Sequence, residues 1–358
     1  MAQNTPGKIV ARKIVRTLHL WGGLASRLLL LIVALTGCIL AFEDELRDTF
    51  QPGLLLVEKE NRPFLSVQGA IDAVQQYDKK LKLTSIRYYG DSTRAIQCYT
   101  KNKKILALNL YSGAVLGVRE TEKDVLSVVL SLHRTLLLGK VGEKIIFCNV
   151  WIFLTMLISG LFLWLPRRVK QIRQGLSIKV RASFKRKNYD LHSVLGFYAA
   201  WPLLLIAITG IDMASGGRRE ARLQSRAGTG PADGVYDRAV AQVYHNEPIE
   251  LLRVNLPQDS TAVITVNIRY ETHGLRRQNS WSFDRYSGLL LKADMYKDKS
   301  FRQRFFGSDY EIHTGRIAGL PGKLLMFLAT LVAASLPVTG FLIWKGKWGR
   351  KKNPNTVK

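Results

Sequence analysis

Four stretches of the chain are almost purely apolar, at residues 20–42, 145–165, 194–213 and 324–344. Each approaches the roughly 20 residues that cross a bilayer as a helix. Between them the pattern changes to that of water-soluble protein. Residues 66–77 place Val67, Ala70, Ile71 and Val74 at helical spacing, and 236–244 does the same with Tyr236, Ala239, Val240, Val243 and Tyr244. Strand-like runs follow each helix, at 95–99 and 105–110, then at 262–268 and 281–284. Each set ends in the same tripeptide, Tyr111-Ser112-Gly113 and Tyr286-Ser287-Gly288, which reads as a hairpin turn with glycine at the left-handed position. The expected fold is a mainly α integral membrane protein with four transmembrane helices and two exterior α+β modules.

The pattern repeats. His19 precedes Gly37 by 18 residues, and His192 precedes Gly210 by 18. Leu-Leu-Ile-Val-Ala-Leu-Thr-Gly at 30–37 matches Leu-Leu-Leu-Ile-Ala-Ile-Thr-Gly at 203–210, and Gly23 and Gly196 each lie four residues past their histidine. His133 precedes Gly160 by 27 residues, as His313 precedes Gly340; Trp164 and Trp344 follow those glycines by four. Gly139 and Gly142 match Gly319 and Gly322. The chain therefore reads as a duplicated unit of helix, exterior module, helix. Its segments are a basic tail (1–18), a first membrane helix (19–43), a first module (44–132), a histidine-led second helix (133–166) and a basic loop (167–190). The second half follows with a third helix (191–213), a second module (214–312), a histidine-led fourth helix (313–345) and a tail (346–358).

Charge then sets the orientation. The net charge is +26, which alone would suggest nucleic acid or an anionic surface. Much of it sits beside helix ends instead, in the N-terminal tail (Lys8, Arg12, Lys13, Arg16), the loop after the second helix and the C-terminal tail. Cationic loops stay in the cytoplasm, so both termini are expected there and both modules outside. No nucleic-acid module is recognisable. The three cysteines, Cys38, Cys98 and Cys148, suggest no disulfide, and the absence of Cys-x-x-Cys-His excludes covalent haem. Leu35-Thr36-Gly37-Cys38 imitates a lipoprotein cleavage box, but apolar residues follow it where a polar tether is usual.

Four of six histidines lead the apolar helices; His245 and His273 lie in the second module. Alternating helices put His19 and His192 on the cytoplasmic side and His133 and His313 on the exterior side. Two imidazoles per side suit the axial positions of haem iron in a bundle core. The alternatives are histidines bonded to backbone, or zinc, although no carboxylate or cysteine recurs beside them at ligand spacing. A continuous helix from His133 to Trp164 would span about 46 Å against a hydrocarbon core of roughly 30 Å. The outer pair is therefore expected near or above the surface, with glycines 139, 142, 319 and 322 and Pro321 bending or breaking the helix. Arg27 either snorkels or meets a haem propionate. The Gly- and Arg-rich stretch 216–234 (Arg218, Arg219, Arg222, Arg226) is either a solvated loop or an anion-attracting rim. Pro202 is expected to kink the third helix.

The histidine-led helices, the Thr-Gly pairs of helices one, three and four (Ser159-Gly160 in helix two) and the paired Tyr-Ser-Gly modules resemble the PepSY-associated transmembrane-helix family, also called iron-regulated membrane proteins. The resemblance covers nearly the whole chain. It implies PepSY-like modules, a bacterial inner-membrane location and kinship with ferric siderophore reductases, such as the ferrioxamine reductase. These carry two non-covalent b haems, here assigned to His19, His192, His133 and His313. The partners it implies are membrane lipid, a ferric siderophore and an electron donor, quinol or cytoplasmic flavoprotein. The chain itself offers no Gly-rich nucleotide loop, so NAD(P)H or flavin would act only through a partner. Other readings are a haem-free scaffold whose modules restrain a protease or bind peptides, the haem subunit of another electron-transfer complex, or a transporter.

Overall fold

A computed structural model describes residues 6–166, 172–215, 223–225, 232–245, 247–272 and 274–352. His273, Arg167, Arg168, Lys170, and the arginines at 218, 219, 222 and 226 lie outside the described residues.

The chain begins with a long helix, α1 (Pro6–Leu40), followed by α2 (Glu43–Phe50), α3 (Pro52–Leu55) and α4 (Val67–Tyr77). Four strands come next: β1 (Leu83–Tyr89), β2 (Ile96–Thr100), β3 (Lys104–Leu108) and β4 (Val115–Glu120). Then α5 (Val125–Thr135) and α6 (Gly139–Trp164) lead through α7 (Ile172–Gly175) and α8 (Phe184–Asp190) to α9 (Gly196–Ala214). After α10 (Val235–Ala241), strands β5 (Ile249–Asn255), β6 (Ile264–Tyr270), β7 (Gln278–Phe283) and β8 (Leu290–Asp294) precede α11 (Phe301–Phe306), α12 (Asp309–His313) and α13 (Gly319–Lys352).

The chain divides into two compact units. Among the described residues four helices are long and apolar enough to cross a membrane, and the helical unit contains them: Val10–Leu40, Gly139–Trp164, Phe184–Ala214 and Arg316–Gly346. These are the four apolar stretches of the sequence, each lengthened by flanking polar turns that are also helical. Helices α1, α6, α9 and α13 pack in a ring in that order, so α1 lies diagonal to α9 and α6 to α13. Their shared interior is rich in alanine: Ala34, Ala199, Ala200, Ala207, Ala329, Ala333 and Ala334 are buried. Small side chains let helix backbones approach closely where lipid supplies no hydrophobic drive. The Arg12 guanidinium donates to the carbonyls of Leu163 and Leu165, capping the C-terminus of α6. Pro202 lies inside a helix assigned continuously from Gly196 to Ala214.

The other unit corrects the expected organisation. Among the described residues the strands do not divide into two separate sheets. All eight strands form one antiparallel sheet in the order β4-β3-β2-β1-β5-β6-β7-β8. The two halves join edge to edge through β1 and β5, from Ser85 opposite Asn255 to Tyr89 opposite Leu251. Joining also removes two exposed sheet edges, which are otherwise templates for aggregation. Helices α4 and α10 cover one face over a single core that includes Ile86, Val254, Ile264 and Phe283, all fully buried. Burying each such side chain contributes roughly 1.5–3 kcal/mol. The halves are tied further by Asp237 of α10, whose carboxylate accepts the Val67 and Gln68 N–H groups at the start of α4. Both Tyr-Ser-Gly turns form as expected, with Gly113 and Gly288 each at φ 73°. The Oδ1 atoms of Asn109 and Asp284, two residues before each tyrosine, accept the N–H groups that shape the turns.

Two histidine pairs across a helical bundle

The four helix-leading histidines meet as two diagonal pairs. The rings of His19 on α1 and His192, at the head of α9, have centres 6.4 Å apart and planes at 83°. Those of His133, in the last turn of α5, and His313, in the last turn of α12, have centres 6.4 Å apart and planes at 79°.

Each ring is held by a hydroxyl residue followed by glycine on a neighbouring helix. His19 Nδ1 lies 2.9 Å from Ser159 Oγ, and His192 Nδ1 lies 2.9 Å from Thr339 Oγ1. His133 and His313 Nδ1 lie 3.0 Å from Thr36 Oγ1 and Thr209 Oγ1. Every one of these hydroxyls already donates its hydrogen to a carbonyl of its own helix: Thr36 to Ile32, Ser159 to Met156, Thr209 to Leu205 and Thr339 to Ser335. The hydroxyl oxygen therefore accepts, and Nδ1–H donates. For His133 the Val33 carbonyl, 3.0 Å from Nδ1, requires the same tautomer. Fixing the proton on Nδ1 leaves Nε2 with its lone pair, the arrangement that outer hydrogen bonds impose on a metal-binding histidine. The glycines provide room for the rings. A Cβ at Gly37, Gly160 or Gly210 would stand 3.3 Å from Cε1 of His133, His19 or His313, and one at Gly340 would stand 3.2 Å from His192 Cε1. Gly23 and Gly196, by contrast, have ordinary space for a Cβ.

The outer pair is not reached by a continuous helix. After His133 the chain breaks, with Leu136 and Leu137 at φ 51° and 61° and Gly139 at φ 55°. After His313 it breaks again at Gly315 (φ 79°) and Gly319 (φ 60°). The membrane helices then restart close against the preceding segment. A Cβ at Gly142 would fall 1.6 Å from the Thr135 carbonyl oxygen, and one at Gly322 would fall 2.2 Å from that of Gly315. The break brings His133 level with Thr36, inside the last turns of α1, rather than beyond its end. The expected bend is present, but the histidines do not project as an unbroken helix would place them. From His19 to Thr36 is about 26 Å along α1, most of the roughly 30 Å hydrocarbon core.

His192 sits in a single π-helical turn, Leu191–Leu195. Such bulges frequently mark functional positions. The other expected site residue, Arg27, has its guanidinium 4.9 Å above the Phe341 ring, next to the Gly340 that accommodates His192. His245 belongs to the sheet unit and joins neither pair. Trp164 donates from Nε1 to the Gly175 carbonyl and stacks on Phe197 at 3.7 Å, as an anchor for the loop after α6. Thr36 and Gly37, the middle of the lipoprotein-like box, are taken up in holding His133.

The donor set suits one class of metal group. An imidazole nitrogen lies about 2 Å from a bound metal and about 1.2 Å from its own ring centre. Two imidazoles on opposite sides of one ion therefore have centres about 6.4 Å apart, whereas at a tetrahedral ion they would stand roughly 5.2 Å apart. The ring centres of both pairs stand at the first of these separations, 6.4 Å. Among the described residues no three His, Cys, Asp or Glu side chains gather at one point. An ion at either site would have to bring its remaining ligands with it, as porphyrin iron does.

Fold and site together define a multi-pass membrane protein with two pairs of neighbouring histidine rings in its bundle. The chain belongs to the family described as the PepSY-associated TM region, which matches residues 16–347. No curated protein matches the chain.

Proposed function

We propose that this protein is a di-haem reductase of the bacterial inner membrane. It would pass electrons from quinol or a cytoplasmic flavoprotein to a periplasmic ferric siderophore, which then releases Fe(II). One observation carries the reading: two pairs of imidazoles, each 6.4 Å apart with Nδ1 already engaged. His19 and His192 would hold one b haem, and His133 and His313 the other. Held by these histidines, such a group would supply single-electron transfer.

The chain's own residues would tune and separate the two centres. Ser159, Thr339, Thr36 and Thr209 keep each imidazole in one orientation and one tautomer, so little rearrangement accompanies a change of charge. The alanine-rich interior keeps water out between the sites. Basic segments beside the helix ends support cytoplasmic termini and periplasmic placement of 44–132 and 214–312. We read the matching halves as an internal duplication. The haem-free scaffold gives no reason for four free Nε2 lone pairs in two opposed pairs.

Two outcomes are expected. The ring planes of each pair stand nearly perpendicular, at 83° and 79°, which in a haem held by both rings would leave two d orbitals nearly degenerate. The oxidised protein should therefore give strongly anisotropic low-spin EPR signals; high-spin or rhombic signals alone would contradict the site geometry. In Thr209→Val, His313 loses its hydroxyl acceptor while the side-chain volume is kept. Haem affinity at that site should fall about 10–100-fold, measured by transfer to apomyoglobin, with the other site unchanged. The reductase activity is tested by mixing dithionite-reduced protein with ferric siderophore in a stopped-flow instrument. Reoxidation should be complete, and its absence with every ferric chelate tried would remove the proposal.

A further inference from the structure

The sheet face opposite α4 and α10 carries an arrangement that folding alone does not favour. In the seam between the two halves, Arg87 of β1 stands directly opposite Arg253 of β5. Their sequence neighbours Ile86, Tyr88, Leu252 and Val254 point into the core, so both arginines share the other face. Like charges directly opposite in an antiparallel pair are destabilising. Two nearby arginines of this unit, by contrast, meet carboxylates: Arg269 pairs with Glu250 at 3.0 Å and Arg277 with Glu247 at 2.8 Å. No carboxylate among the described residues pairs with Arg87 or Arg253, and Nε of each is buried without a partner. The Arg87 guanidinium carbon lies 4.1 Å above the centre of the Tyr99 ring. Burial, followed by the positive charge of Arg87, lowers the Arg253 pKa to about 10.

The register extends the site sideways. Arg87, Arg253 and Asn267 lie in one cross-strand row over three neighbouring strands, a span of about 10 Å, while Gln97, the next residue of the row, is buried and donates to the Leu54 carbonyl. Asn267 Oδ1 already accepts the Ser280 hydroxyl, so its NH2 remains to donate. The row is longer than a single phosphate. Paired guanidinium forks match carboxylates in bidentate geometry.

We infer that the β1–β5 seam is a binding site for a soluble, multiply anionic ligand whose charge is carried on oxygen, with Arg87 and Arg253 as its central ligands. On the reductase reading, on which the iron in this assignment rests, that ligand is a ferric chelate with carboxylate arms.

The test uses the full chain in detergent, with thermal unfolding followed by circular dichroism and ferric citrate as the probe. Ferric citrate should raise the midpoint of the natural protein. Arg253→Gln and Arg87→Gln should each raise the unliganded midpoint by about 1–3 °C by relieving repulsion, while losing the ligand-induced rise and binding ferric citrate at least about tenfold more weakly. A merely structural arginine would give the opposite sign. Lower unliganded midpoints with an intact ligand shift would overturn the site. Equal shifts from inorganic phosphate, iron-free citrate or anionic phospholipid vesicles would overturn the assignment to a ferric chelate. Electron transfer is scored separately. If Arg253→Gln is reoxidised by ferric citrate as fast as the natural protein, the site fails and the reductase stands. If the natural protein is never reoxidised but the thermal shifts follow expectation, the reductase fails and the site stands.

Discussion

On the di-haem proposal, replacing His313 with alanine should halve the haem content of the purified protein, from two per chain to one. The ring of His313 is one of two facing imidazoles, and its removal leaves His133 alone on that side. A single axial bond does not replace the pair in a site built for two. The other proposed haem would be held by His19 and His192, about 26 Å away along the bundle, with no ligand in common, so its spectrum should be intact. His192→Ala should give the reciprocal loss. The readout is the pyridine haemochrome per mole of protein, together with the low-spin EPR signal that disappears. Unchanged haem content in either variant would remove that histidine from the assignment. Loss of both haems from either single variant would mean that the two sites do not form independently.

Gly142→Ala should be as damaging, although residue 142 touches no ligand. A Cβ there would lie 1.6 Å from the Thr135 carbonyl oxygen, and backbone cannot yield as a side-chain tip can. Thr135 is two residues past His133, so relief of the clash must pull the last turn of α5 away from α1. The hydrogen bonds of His133 to Val33 and Thr36 would then be lost. The expected cost is about 3 kcal/mol or more, concentrated at the outer pair. Gly322→Ala should act likewise through Gly315, two residues past His313. Gly23→Ala is the control, because a Cβ there meets only Met156 Sδ at 3.8 Å. Haem content should fall to one per chain in the first two variants and stay at two in the control. A fully loaded, normally stable Gly142→Ala protein would show that the close return of the chain does not position His133.

The membrane helices and the pairing of histidines were legible in the sequence because both leave a record in spacing. Apolar runs of bilayer length need no tertiary information, and the matched 18- and 27-residue intervals from histidine to glycine reveal the symmetry. The meaning of those glycines was not legible. Gly37, Gly160, Gly210 and Gly340 each accommodate a histidine from another helix, which spacing along the chain does not report. A signal was present: four hydroxyl-glycine pairs accompany four histidines, and a hydroxyl in an apolar helix needs a use.

The single sheet was hidden for a different reason. Strands β1 and β5, which join the halves, alternate apolar residues with arginine, tyrosine and asparagine, and their pairing is a contact between positions about 165 residues apart in sequence. Local periodicity cannot report such a contact. The helix breaks before α6 and α13 were foreshadowed by their glycines. Their direction, which draws His133 back beside α1, depends on packing alone.

The whole account turns on what the opposed imidazoles hold. The most direct measurement is the visible spectrum of the protein, purified after expression with haem supply and titrated with dithionite, with haem and protein quantified on the same sample. Two b haems per chain, low-spin in both oxidation states, are predicted. A colourless protein, or one carrying zinc in place of iron at these histidines, would contradict it.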